Sequence, residues 1–444
     1  MFKPSKFVLL AIWIVMVTAI AIPGAAQQVA PQTAQQVAPQ TAQPQTAQPQ
    51  TAQEETAQEE KGKGLKANKP ARDRSQSQSS PTPLPVDAPK RSEVDEAVRR
   101  GKEFLLSIQN KNGSWGAATN TKDLNIYAPV PGAHHAFRSA VTAMCVSALI
   151  DLQVEDTEVS SAIDRGETWL LEHLKSLRRA NQDALYNVWG HAYGIEALVR
   201  LHCRHASNPE QQGRLMEEIV HQIELLGRYE SVHGGWGYYD FSYHLQKPTS
   251  QPNSFTTATV LFAFYQAQQI GAVVPQRLID RGLDVIRRQQ RPDLAYLYSE
   301  DFRTNPSSDI NKPGGSVGRS QACNVVLRMY KDPSVSDEAM VAWTNRLFSR
   351  NLWLDIGRKR PIPHESWFLV AGYFFYYGHY YAAYGIEHIP AAQQTPARQQ
   401  LLHVMLKLQE KDGSWWDYPL YDYHRPYGTA FALMAIKRCE SAAE

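Results

Sequence analysis

The chain has 444 residues, with 46 Lys and Arg against 44 Asp and Glu, 43% hydrophobic residues and a formal net charge of +2. Residues 27–90 carry one more basic than acidic residue and Lys3 and Lys6 add two more positive charges, which leaves −1 for residues 91–444. A near-neutral body has no electrostatic footprint for a phosphate backbone, so nucleic acid is excluded as a partner.

Lys3 and Lys6 precede sixteen residues without a charge, Phe7 to Ile22, and small residues follow at Pro23-Gly24-Ala25-Ala26. This reads as a signal peptide over 1–26 and implies export to the periplasm or the extracellular space. A bilayer-spanning helix needs about 20 apolar residues; the alternative is that 7–22 stay uncleaved and tether the chain to a membrane. Residues 27–60 repeat QQVAPQTA and QPQTA, and 61–90 are rich in Lys, Ser and Pro. Such composition buries too little apolar surface to offset ordering, so 27–90 is expected as a disordered linker.

Residues 91–440 carry a recurring unit of roughly 50–60 residues, each an amphipathic helix, a long loop and a more apolar second helix. First helices are predicted to begin near Val94, Val159, Gly213, Pro275, Ser336 and Thr395. Second helices are predicted to begin at Ala143, Ala192, Ala258, Ala322 and Ala430, with Gly378 as the best fit in the fifth unit. The second helices are apolar nearly all round, as an inner layer should be, whereas the first helices carry charged faces. The terminal units are as apolar as the middle ones, although an open solenoid needs polar caps. The expected fold is therefore all-α: an α/α toroid, a closed double ring of about six inner and six outer helices over 91–440.

Arg100-Gly101, Arg165-Gly166 and Arg281-Gly282 align in the first helices. Gln109…Gly113…Trp115 and Gln409…Gly413…Trp415 share one spacing, and His233-Gly234-Gly235-Trp236 is a degenerate third copy. Glycine permits the positive-φ turn that ends a helix, and Trp buries a large area on its neighbour. Arg-Gly-x-x-Phe-Leu-x-x-x-Gln-x-x-x-Gly-x-Trp, at 100–115, resembles the repeat of the squalene cyclase and protein prenyltransferase superfamily. The resemblance implies a toroid with a central cavity and a structural, non-catalytic role for Gln109, Trp115, Gln409 and Trp415. The acidic Asp-x-Asp-Asp motif of such cyclases and the Asp-x-Cys zinc motif of such transferases do not occur. Neither a metal nor a cofactor is expected. Cys145, Cys203, Cys323 and Cys439 read as single buried thiols, and His202, Cys203 and His205 as surface residues at a helix end.

The long connections, near 110–137, 232–254, 291–318, 351–366 and 411–425, all run from first to second helix, so they share one face of the ring. Elaborated loops on one face of a repeat array mark the binding side. That face also receives the N-termini of the inner helices, with their positive partial charge. Arg138, Arg319 and Arg425 gather there and suit an anionic group, or else pair with loop acids such as Asp417 and Asp422. Trp189, Tyr193, Tyr377, Tyr380, Tyr381 and Tyr427 are the expected aromatic wall. His191, His379 and His424 are the candidate proton-transfer groups, with Glu365, beside His364 and Trp367, the candidate acid or base. The pattern fits an isoprenoid-like or other amphipathic anionic ligand in the cavity. It also fits a binder, lyase or hydrolase acting on an acidic polysaccharide, or a silent interaction scaffold.

Overall fold

The computed structural model describes residues 80–119, 131–181, 184–239, 248, 251–365 and 367–440. The signal peptide and residues 27–79 of the linker lie outside the described residues, as do 120–130, most of 240–250 and the side chain of Trp367.

The outer helices are α1 (Arg91–Ser107), α3 (Thr157–His173), α5 (Pro209–Tyr229), α7 (Gln276–Gln289), α9 (Asp337–Ser349) and α12 (Ala391–Lys407). The inner helices are α2 (Pro131–Asp151), α4 (Asn187–Arg204), α6 (Ser254–Gln269), α8 (Pro313–Met329), α11 (Phe374–Ile386) and α13 (His424–Glu440). A short helix, α10 (Asn351–Asp355), interrupts the loop between α9 and α11. Three isolated antiparallel bridges, Ala184–Tyr239, Asn253–Ser299 and Gln290–Tyr296, tie the loops of one face together.

Local chemistry sets the helix starts. Asp156 caps α3 by accepting from Glu158 N and Val159 N, Asn208 caps α5 with Pro209 next in line, and Ser336 caps α9. A side-chain oxygen at that position satisfies amide groups the helix leaves unpaired. The inner helices pack in the order α2–α4–α6–α8–α11–α13, and α13 returns to α2. The ring is closed, and the outer helices lie against it: α3 on α2, α5 on α4, α7 on α6, α9 on α8, and α1 and α12 on α13. This is the all-α toroid expected from the repeat.

Two expectations need correction. The alanine markers lie within the inner helices, not at their starts: Ala143 is far inside α2 and Ala322 far inside α8. Small residues there record where helices touch, and a Cβ on Gly378 of α11 would meet the Gly318 Cα of α8 at 2.7 Å. Cys145, Cys323 and Cys439 are buried, but Cys203 is exposed near the C-terminus of α4, where the helix leaves the core.

Candidate functional site

The repeat motifs interlock neighbouring units. Trp115 Nε1 donates to Leu105 O, Trp236 Nε1 to Leu226 O and Trp415 Nε1 to Met405 O, each at 2.8 Å. The backbone amides of the three tryptophans donate at 3.0 Å to Thr142, Thr257 and Thr429 of the following inner helices. Gln109 Nε2 donates to Ala162 O of α3, and Gln409 Nε2 to Ala97 O of α1, both at 2.9 Å, so the last unit grips the first as the first grips the second. Gly413, at φ 88°, lies against the Arg100 backbone, where a Cβ would meet the carbonyl oxygen at 2.5 Å. These bonds of the motif are thus spent on the ring itself.

The loop face carries a collar of aromatic rings, one or two from each unit. Phe137 meets Tyr186 at 4.9 Å, and Tyr186 stacks on Tyr238 at 6.4 Å. The Tyr238 and Tyr298 hydroxyls are hydrogen-bonded, and the Tyr298 and Tyr373 hydroxyls lie 3.3 Å apart. Tyr373 packs edge-on against Tyr418 at 5.6 Å, and Tyr423 packs on Phe137 at 5.7 Å. Below the collar, Trp189 and Phe255 stack at 6.1 Å, and Phe431 of α13 contacts Tyr193 at 5.9 Å and Tyr380 at 5.1 Å. Trp189, Tyr238 and Tyr373 are partly exposed, Tyr193 and Tyr377 keep 6% and 5%, and Tyr381 keeps none.

The path ends on a polar floor. Tyr380 Oη donates to Glu196 Oε2 at 2.8 Å, and Arg200 bridges Asp151 at 2.9 Å and the Tyr384 hydroxyl at 3.1 Å. Glu196 Oε1 is buried without a partner. Burial pushes the Glu196 carboxyl up to about 7, against the pull of Arg200 and Tyr380. Above it, the Tyr377 and Tyr381 hydroxyls meet Thr259 Oγ1 at 3.1 and 3.2 Å. Asp417, on the α11–α13 side, accepts from Tyr427 Oη at 2.5 Å and Tyr376 N at 3.1 Å, and burial raises it to about 6.

The aromatic part of the expected site comes together: Trp189, Tyr193, Tyr377, Tyr380, Tyr381 and Tyr427 all belong to this path or border it. The charged part does not. Arg319 is 1% exposed and donates to the carbonyls of Gly315, Tyr296 and Ile310. Arg425 pairs with Asp412 and lies over the Phe104 ring of α1, toward the outer layer. Arg138 donates to Gly116 O at 3.2 Å beside Tyr423. His191 faces α5, with Gln222 Oε1 2.5 Å from Nδ1 and Tyr229 stacked on its ring. His379 bonds its own helix at Phe375 O, and His424 bonds Tyr421 O against Trp416. Burial lowers both His191 and His379 to about 4. Glu365 is exposed at the rim. His205 engages Glu167 at 2.8 Å.

Glu196, Tyr238 and Tyr298 were not singled out in the sequence. A signal for Glu196 was present: Tyr193, Glu196 and Arg200 stand at i, i+3 and i+7, one helix face, as Tyr377, Tyr380, Tyr381 and Tyr384 do on α11.

A family model described as the squalene-hopene cyclase C-terminal domain matches residues 83–305, half of the chain. The chain is 26% identical over 204 residues to a probable squalene–hopene cyclase of Sinorhizobium fredii, covering 45% of this chain and 30% of that protein. It is 22% identical over 222 residues to the squalene–hopene cyclase of Zymomonas mobilis, covering 48% and 31%. The matches therefore span less than a third of the length of these curated relatives. Among solved structures, the type II terpene cyclase MstE from Scytonema matches with TM-score 0.45 and 13% identity over 80% of this chain and 99% of that one. The GH76A alpha-1,6-mannanase from Salegentibacter matches with TM-score 0.49 and 8% identity over 78% and 99%. Values of this size say nothing about chemistry. The interlocking Gln-Gly-Trp units, the closed ring they build and the match over half of its length agree: the chain belongs to the squalene-hopene cyclase C-terminal domain family.

Proposed function

We propose that this toroid binds an isoprenoid-like, largely apolar molecule along its aromatic axis, admitted from the loop face. The observation that carries the reading is the unbroken run of rings from the collar through Trp189, Phe255, Tyr193, Tyr377 and Phe431 to the floor. Aromatic faces bury polyprenyl methyl groups and favour positive charge over their centres. The family match supports the same ligand class, with curated relatives named as squalene–hopene cyclases. An anionic head group has little to hold it, because Arg319 and Arg425 are already engaged. The same engagement weakens the acidic-polysaccharide alternative. Glu196 at the floor and Asp417 beside Tyr427 have carboxyls raised to about 7 and about 6, where proton exchange with a bound molecule is open to them. Among the described residues no helix is long and apolar enough to cross a membrane. The reading places the toroid outside the cytoplasm, on the strength of residues 1–26 of the sequence.

Retention of radiolabelled squalene tests this. Tyr377→Ala and Phe431→Ala each remove a ring from the path, and each is expected to weaken retention about tenfold, the equivalent of about 1.4 kcal/mol. Retention of acidic oligosaccharide in place of squalene, or squalene retention indifferent to both substitutions, overturns the reading.

A further inference from the structure

Tyr238, Tyr298, Tyr373 and His364 form one continuous chain of hydrogen bonds across the loop face. The Tyr238 and Tyr298 hydroxyls are bonded, Tyr298 and Tyr373 are 3.3 Å apart, and Tyr373 Oη is 2.9 Å from His364 Nε2. The direction of the chain follows from its last member. His364 Nδ1 lies 2.7 Å from Leu369 O, and a carbonyl can only accept. The proton of the neutral ring therefore sits on Nδ1, and Nε2 is an acceptor. Tyr373 must then donate to Nε2, Tyr298 to Tyr373, and Tyr238 to Tyr298. All three hydroxyls point toward His364, and the Tyr238 oxygen is left as the accepting end. That end borders the aromatic path, because Tyr238 packs on Phe255 at 6.0 Å and Phe255 on Trp189. The other end, His364, is only partly buried.

The backbone is strained to hold this end in place. His364, Phe368 and Leu369 have φ of 64°, 59° and 56°, the left-handed region that branched and bulky residues avoid. Strain of this kind persists where surrounding structure over-determines it, often at functional sites. Here the turn brings Leu369 O back to His364 and so sets the tautomer.

We propose that this chain is a proton exit from the aromatic interior, accepting a proton from a bound molecule at the Tyr238 oxygen and delivering it to His364. The proposal rests on the reading of that interior as the ligand site. In the step, the bound molecule's C–H or O–H bond breaks and its electron pair stays with the molecule. An O–H bond forms on Tyr238 as its own proton passes to Tyr298; Tyr298 passes one to Tyr373, and Tyr373 one to His364 Nε2. The imidazolium then gives its Nδ1 proton to water as the bond to Leu369 O opens, and the ring and the three hydroxyls turn back to the starting tautomer and orientation. Burial, reinforced by Arg319, holds His364 down at about 4, so the ring is neutral at neutral pH and does not keep the proton it receives.

The test needs no ligand. Full-length protein labelled with 13C at the tyrosine Cζ is dissolved in mixed H2O and D2O, and exchange of the Tyr238 and Tyr298 hydroxyls is followed by NMR. Exchange is expected to run through His364, so His364→Gln slows it at both hydroxyls by at least about tenfold. Tyr298→Phe, which removes one oxygen and leaves the imidazole, is expected to slow Tyr238 by the same factor. Unchanged Tyr238 exchange in either folded variant overturns the relay. Loss of squalene retention with relay exchange intact would instead sink the ligand reading, so the two failures are told apart.

Discussion

Tyr380 reaches across the ring axis from α11 to α4 and donates to Glu196 Oε2 at 2.8 Å. These two helices stand opposite each other among the six inner ones, so the bond closes the axis at that level. Glu196 is 2% exposed, and its second oxygen has no partner. A carboxyl so placed prefers to keep its proton, because burial disfavours the charged form.

The pH dependence of stability follows from these groups, with opposite signs on the two sides of neutrality. Glu196 has a native pKa raised to about 7, so the native state holds a proton that the unfolded chain releases. Its contribution is present below the unfolded value of about 4.3 and is lost as pH rises through 7, by up to about 3 kcal/mol. Asp417, raised to about 6, acts in the same direction. His191, His364 and His379 are lowered to about 4, so their contribution is present above about 6.5 and lost as pH falls through 4. Glu196→Gln is expected to flatten the descent of Tm between pH 5 and pH 8 and to leave the acid side unchanged. A Tm-against-pH curve identical to wild type would show that Glu196 is solvated.

The tryptophan brace should be the most sensitive structural element. Trp115 and Trp415 are fully buried, each holding the end of its own outer helix and the next inner helix. Trp115→Ala or Trp415→Ala is expected to cost about 3–5 kcal/mol in urea denaturation. Gly101→Ala tests the same joint from the other side, because a Cβ there would lie 2.7 Å from the Trp415 ring. A Gly101→Ala protein as stable as wild type would mean that the ring moves away freely and that the joint is loose.

What the sequence displays well is whatever repeats. Arg-Gly, Gln-Gly-Trp and the apolar second helices recur at fixed spacing, and each recurrence is one instance of the same contact, such as Gln109 on Ala162 and Gln409 on Ala97. The facing of a single residue on an inner helix is harder to see. His191 and Tyr193 are two residues apart and so about 200° apart around α4; one faces Gln222 of α5 and the other Phe431 across the axis. Both helix faces are apolar, so periodicity does not say which looks inward. Loop paths were the least legible. Arg319 has the position of a ligand-binding arginine near an inner-helix N-terminus, but the preceding loop folds back and spends it on the Tyr296 and Ile310 carbonyls.

Arg319 and Arg425 therefore separate two readings in one experiment. Arg319 is buried under the Tyr298 ring, and burial lowers it to about 10, so it remains charged at neutral pH. Arg319→Ala would leave three carbonyls short of a charged donor, each costing about 1–3 kcal/mol when buried and unsatisfied. The expected loss is about 3–5 kcal/mol, read as a lower urea midpoint with an unchanged slope. Arg425 pairs with Asp412, and both side chains are more than a third exposed. Solvent screens such a pair, so Arg425→Ala is expected to change stability by less than about 1 kcal/mol. If Arg319→Ala instead melts like wild type, the carbonyls do not depend on it, the guanidinium is free to serve a ligand, and an anionic head group returns as part of what the toroid binds.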